Sequence, residues 1–227
     1  MYGDSYYLLL VLPAIILSLY AQIRVKSTFA TYARITSARH ISGSEAAGLL
    51  LQVNRIRDVA IQPIQGALTD HYDPGAKVLR LSQPVYRATS IAAIGVAAHE
   101  TGHAIQHARS YGPLVLRSTL VPVANIGSSI GPWIALGGLC FSFPLLINLG
   151  IILFGLSVLF YVITLPVEFD ASARAIAILR NNRVLTEAEL AGVKKVLTAA
   201  ALTYVASALT ALMGFIRLIL ITRDRKS

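Results

Sequence analysis

Charge is scarce in this chain: 14% of its residues are Asp, Glu, Lys or Arg, against about 25% in ordinary soluble domains. The shortfall is gathered into long uncharged runs, which excludes a conventional soluble fold. Cysteine is scarcer still. Cys140 stands alone, so there is no intrachain disulfide framework and no cysteine-built zinc site, and any metal must sit on His, Asp or Glu. Acidic residues are outnumbered, 11 against 20 Lys and Arg, for a formal net charge of +9. No basic stripe interleaved with aromatics and no nucleic-acid motif accompanies that excess, so the sequence points to no nucleic acid as partner. Membrane topology and contact with anionic headgroups explain the cations better. Internal repeats and low-complexity tracts are also missing.

What the chain does contain is apolar length. Hydrophobic residues make up 55%, and the mean hydropathy is +0.64, which marks an integral membrane protein with the lipid bilayer as its first partner. Residues 6–23 carry no charge, are flanked by Tyr2, Tyr6 and Tyr7, and are followed by Arg24 and Lys26, the pattern of a spanning helix. A cleaved signal peptide would start basic and have a shorter apolar core, whereas this start carries Asp4 and no cation. From Leu120 no charge occurs until Glu168, with an interruption at Phe143-Pro144. That is about twice the length one helix needs to cross ~30 Å of hydrocarbon, so it predicts two spans, 120–141 and 145–165, joined by a short turn. The first is rich in small residues (Gly127, Gly131, Gly138) and holds Asn125, which suits close helix packing. In the last apolar run, 199–221, Thr203, Ser207, Thr210, Gly214 and Arg217 fall on one helical stripe, expected to face the bundle. An interfacial amphipathic helix is the competing reading.

Between the first span and the hairpin, residues 44–54 read as a helix with a serine cap, 59–64 and 78–81 as short β-branched segments, 69–75 as a turn, and 85–109 as a helix. Residues 168–195 are again polar and helical in pattern. Both polar segments are basic, including Arg55, Lys77, Arg80 and Arg109 in one and Arg174, Arg180 and Lys194 in the other. A two-pass hairpin returns the chain to its starting side, so both share a compartment, the cytoplasm by the positive-inside rule, with the N-terminus outside. Arg223, Arg225 and Lys226 would lie on the opposite side if the last run spans fully.

The chemistry concentrates at His99-Glu100-Thr101-Gly102-His103, an HExxH pattern inside an Ala-rich helical stretch. Histidines four apart lie one above the other on a helix face, so their imidazoles can converge on one zinc ion. Glu100 is offset by about 100° and can reach a water rather than the metal, which suits a general base. A catalytic zinc needs a third protein ligand. His107 sits two turns, ~12 Å of rise, from His99 and cannot supply it without a chain reversal, leaving it a polar helix position or an outer contact. Glu168, the first charged residue after the hairpin, returns to the same membrane face. Asp170 points away from Glu168 on a helix, so it would support a ligand histidine from behind or pair with Arg174 at i+4. In Asp70-His71-Tyr72-Asp73-Pro74 a second metal site competes with plain turn chemistry, and His71 or Tyr72 could donate to the oxyanion of a tetrahedral intermediate.

Several segments together resemble a known family, the bacterial membrane-embedded neutral zinc metallopeptidases of the YugP type: LTDHYDP (68–74), Leu81-Ser82, SIAAIGVAAHETGHAIQHA (90–108), LPVEFDASARA (165–175) and AALTY (200–204). The resemblance implies one zinc ion per chain held by His99, His103 and Glu168, with Glu100 as the base. The HtpX-like membrane proteases are more distantly similar, and they carry an Asp four residues after the ligand glutamate, where this chain has Ser172. Site-two-type proteases pair HExxH with LDG in a later span, and no LDG occurs here.

The expected fold is mainly α and integral to the membrane, with about four transmembrane helices and a small α+β zincin-like module at the cytoplasmic face. Its expected parts are an anchor (1–23), a catalytic segment (24–117), a transmembrane hairpin (118–166), a helical segment with the third ligand (167–198) and a final membrane helix with a basic tail (199–227). The expected activity is zinc-dependent endopeptidase action of gluzincin type on membrane or membrane-proximal proteins, in the bacterial cytoplasmic membrane. The alternative is a proteolytically silent scaffold or adaptor with a structural zinc.

Overall fold

A computed structural model describes residues 5–224; Tyr2, Asp4, Arg225 and Lys226, invoked above, lie outside the described residues. Helices dominate: α1 (Leu12–Tyr32), α2 (Gly43–Val53), α3 (Gln83–Tyr86), α4 (Ile91–Ala108), α5 (Gly112–Cys140), α6 (Pro144–Asn181) and α7 (Glu187–Asp224), with three short strands, β1 (Ala60–Ile64), β2 (His71–Asp73) and β3 (Val78–Ser82). Among the described residues, four helices are long and apolar enough to cross a membrane: Tyr7–Tyr32, Gly112–Cys140, Pro144–Asn181 and Glu187–Arg223. The first opens with a π-helical turn, Tyr7–Val11. Pro13 lies two residues beyond it, where its missing N–H and its ring disrupt the i−4 bonding that an α-turn would need.

The chain forms two compact units. One comprises the chain up to Gln22, Val115–Pro166, and the chain from Leu202 onward. In it, a Cβ on Gly131 would lie 3.0 Å from the Phe154 nitrogen and one on Gly138 2.6 Å from that of Ile147, so small residues let α5 and α6 touch backbone to backbone. Ser157 Oγ donates to the Ala124 carbonyl (3.0 Å), satisfying a hydroxyl that lipid could not. On α7, Thr210 meets Ser18 of α1 at 3.0 Å, Gly214 faces Phe154, and the Arg217 guanidinium lies 5.5 Å from the Tyr7 ring centroid. Ser207 departs from the expected stripe: it is exposed and bonds back to Thr203 O. The α5–α6 connection is three residues, with Ser142 left-handed (φ 53°) and Pro144 starting the next helix.

The second unit comprises Ile23–Leu114 and Val167–Ala201. Its axis is α4, which is buried on opposite sides. Ile91, Ile94 and Ala98 pack with Leu50, Leu179, Val193 and Leu197, while Ala93, Ala97 and Ala104 pack with Leu51, Leu79, Leu81 and Val85. A helix pressed from two sides needs small side chains, which is why this one is Ala-rich. The sheet has order β1-β3-β2, with β1 parallel and β2 antiparallel to β3.

Three expectations change here. Residues 69–75 are not one turn: β2 runs through them, and the turn is 74–77, fixed by Asp73 Oδ1 accepting from the Gly75 and Ala76 amides (both 3.0 Å). The helix expected over 85–109 is two, because Ser90 caps α4 by accepting from Ala93 N (3.2 Å) and so sets a new start after α3. The cap of α2 is Ser42 in a capping box with Glu45, not Ser44.

Candidate metal centre

His99 and His103 face the same side of α4, with ring centroids 4.8 Å apart and nearly perpendicular. Glu168 enters from α6, its Oε2 3.2 Å from His99 Nε2 and 3.5 Å from His103 Nε2. One ligand atom from each of the three lies within 4.8 Å of the others, a group able to hold a metal ion, and all three side chains are nearly buried. The approach of the two helices depends on Gly102, between the histidines. A Cβ there would sit 2.6 Å from the Ala171 carbonyl oxygen.

Each imidazole is held from behind. His99 Nδ1 lies 3.0 Å from Ser172 Oγ, and His103 Nδ1 lies 3.0 Å from Gln106 Oε1. The orientation of the Gln106 amide is forced, because its nitrogen donates to two acceptors, Val167 O and Asp170 Oδ2, both at 2.8 Å. Its oxygen must therefore accept from His103 Nδ1–H, which leaves the Nε2 lone pair turned toward Glu168. Two imidazole nitrogens presented this way, with one carboxylate oxygen, make a donor set that fits zinc. Burial would discharge His103, but the carboxylates of Glu168 and Glu100 hold its pKa above the ordinary value. A proton and a cation compete for that lone pair, so metal binding weakens as pH falls.

Glu100 is buried beside the trio and accepts from the Tyr72 backbone N–H at 3.1 Å. Edge strand β2 therefore holds the carboxylate in place. Just before it, Asp70 accepts from the Ser82 amide (2.7 Å) and hydroxyl, and its burial raises its pKa. The Tyr72 hydroxyl is 2.7 Å from His107 Nδ1. Burial, then the charges of Asp58 and Asp73, push the phenol up to about 12, so it stays protonated and neutral beside that nitrogen.

The remaining sequence candidates sort as follows. His107 is away from the trio, on Tyr72. His71 is not brought to the site: on a strand it points opposite to Tyr72, and its ring bonds to Thr69 O (2.8 Å) with Arg80 at 3.5 Å. Asp73 pairs with Arg80 (2.6 Å) and Asp70 with Ser82, so Asp70, His71 and Asp73 do not converge on a second metal. Asp170 pairs with Arg174, the second of the two roles set out for it, and bonds Gln106 rather than a histidine. Gln106 escaped sequence reasoning, although a polar residue three positions after His103, one turn along the same helix face, is the available signal. Ser172 stands where the HtpX-like pattern has Asp, and it contacts His99 with a hydroxyl instead.

The family model described as "Putative neutral zinc metallopeptidase" matches residues 7–223. The chain belongs to this family. It is also 48% identical over 215 residues, covering 95% of this chain and 96% of the relative, to the Bacillus subtilis (strain 168) protein named "Putative membrane protease YugP". No solved structure matches it. For this family member the arrangement behind His103 predicts that Gln106→Ala, which strands a donor and two acceptors, will weaken zinc affinity about 10- to 100-fold. Competition against a chelator indicator measures it.

Proposed function

We propose that this chain is a zinc metalloendopeptidase of gluzincin type, in the bacterial cytoplasmic membrane, that hydrolyses peptide bonds of membrane or membrane-proximal proteins. The convergence of His99, His103 and Glu168 beside Glu100 carries the reading. Zinc bound there supplies Lewis acidity, which lets water ionise near neutral pH and polarises the scissile carbonyl. Glu100 takes the proton from the attacking water as its oxygen bonds to the carbonyl carbon. Glu100 then returns the proton to the amine nitrogen as the C–N bond breaks. Ser172 and Gln106 keep the imidazoles oriented, and the Tyr72 amide keeps Glu100 from swinging away. The silent-scaffold alternative is disfavoured by composition: a structural zinc fills four protein positions and needs no base, whereas this group contains three ligands.

The test is metal removal. Chain purified into nanodiscs should lose hydrolysis of a quenched fluorescent peptide on chelation and regain it with zinc. Loss without zinc-dependent recovery, or no loss, would end the proposal. The cytoplasmic orientation rests on the shared basic excess of both polar segments. A cysteine placed at Lys77 should be labelled by an impermeant thiol reagent only after the cells are opened; labelling of intact cells would invert the topology.

A further inference from the structure

Glu100 and His107 are seven residues apart, so they share one face of α4 about 10 Å along its axis. Tyr72 spans that distance, its amide on Glu100 and its hydroxyl on His107. Beyond the Tyr72–His107 pair opens a hollow of about 490 Å³, whose wall includes Arg55, Asp58, Lys77 and Arg109. Three cations face one carboxylate. Asp58 is taken up by Lys77, and Arg109 Nη2 reaches only the neutral Asn54 Oδ1 at 3.2 Å. The backbone N–H of Arg55 donates to Gln52 O (3.0 Å), while its guanidinium has no hydrogen-bond or ion-pair partner among the described residues. Arg55 and Lys77 also hold left-handed backbone (φ 59° and 53°), where Gly or Asn would be less strained.

We propose that this hollow is a carboxylate-binding subsite for the peptide substrate, which selects an acidic side chain or a free C-terminal carboxylate about three residues from the bond cleaved. The spacing follows from the ~10 Å of helix rise between Glu100 and His107, which lines the hollow, since extended chain rises about 3.3 Å per residue. Paired guanidinium groups fit a carboxylate in fork geometry, and the phenol, already committed to His107, adds no competing charge. A lipid headgroup is the less suitable occupant, because most of the hollow's wall is polar and its aliphatic part is limited to Ile56, Val59, Ala104 and Ala108.

The subsite rests on the peptidase reading above, so its test has a readout that needs no turnover. Fluorescein-labelled octapeptides would be titrated by anisotropy against the full chain in zwitterionic nanodiscs: a neutral amide, a series with one residue at a time changed to Glu, and the free acid. We expect one or two Glu positions, or the free acid, to bind about 5- to 10-fold tighter than the neutral amide. The two carboxylate sources separate by which peptide gains. Arg55→Gln with Arg109→Gln should erase the gain. Arg55→Glu, a separate variant at an exposed position, should instead favour the same peptides carrying Lys. Equal affinities throughout, or a preference indifferent to these substitutions, would overturn the subsite. So would a preference that vanishes when phosphatidylglycerol is added to the nanodisc, which would assign the hollow to lipid. Acidic preference in binding without any hydrolysis would leave the subsite standing and remove the peptidase reading.

Discussion

Glu100→Gln is expected to keep zinc at wild-type occupancy and to lose about 10²- to 10⁴-fold in hydrolysis, the range spanned by a positioned general base. The amide has the shape of the carboxylate and retains an oxygen to accept the Tyr72 N–H, so β2 stays where it is. Glu100 is also outside the His99, His103 and Glu168 group, so the ligands are untouched. What disappears is the ability to take a proton. Metal analysis beside initial rates on one preparation decides the matter, and turnover near wild type would rule out Glu100 as the base.

Glu168→Ala should have the opposite signature, loss of the metal itself. The substitution removes the only carboxylate of the group and leaves two imidazoles, and two donors cannot hold zinc as three do. The affinity loss should exceed the roughly 10- to 100-fold that belongs to groups acting from behind a ligand. Asp170→Ala should fall within that smaller range, since Asp170 reaches His103 only through Gln106. His107→Ala should retain metal, its ring being on Tyr72. Full-affinity zinc binding by Glu168→Ala would remove it from the ligand set.

These contrasts reflect what the sequence discloses. Helical spacing alone puts His99 and His103 together, and uncharged length alone gives three of the four long apolar helices, because both follow from local geometry; the last, interrupted by Arg217, also admitted an interfacial helix. β2 was hidden because Asp-Pro-Gly dominates the local signal, while the strand exists only through pairing with β3 and the reach of Tyr72 to Glu100. The break before Ser90 was hidden for a related reason: apolar periodicity continues through it, and a cap announces itself weakly inside such a run. Gln106 and Ser172 belong to different helices. Their roles depend on a contact permitted by the missing side chain of Gly102, which no periodicity records.

One consequence concerns how such a chain is fastened. His99 and Glu168 are separated by 69 positions, and the stretch between them includes the whole apolar hairpin. A chain with one cysteine has no covalent way to close a loop of that size. A metal joining these residues would act as a removable clasp, with an entropic benefit of the kind a disulfide confers on a long loop. Its strength would depend on free zinc, the stabilisation free energy rising with the logarithm of metal concentration above the dissociation constant. The resistance of this unit to heat and to other proteases would then follow the zinc supply of the cell.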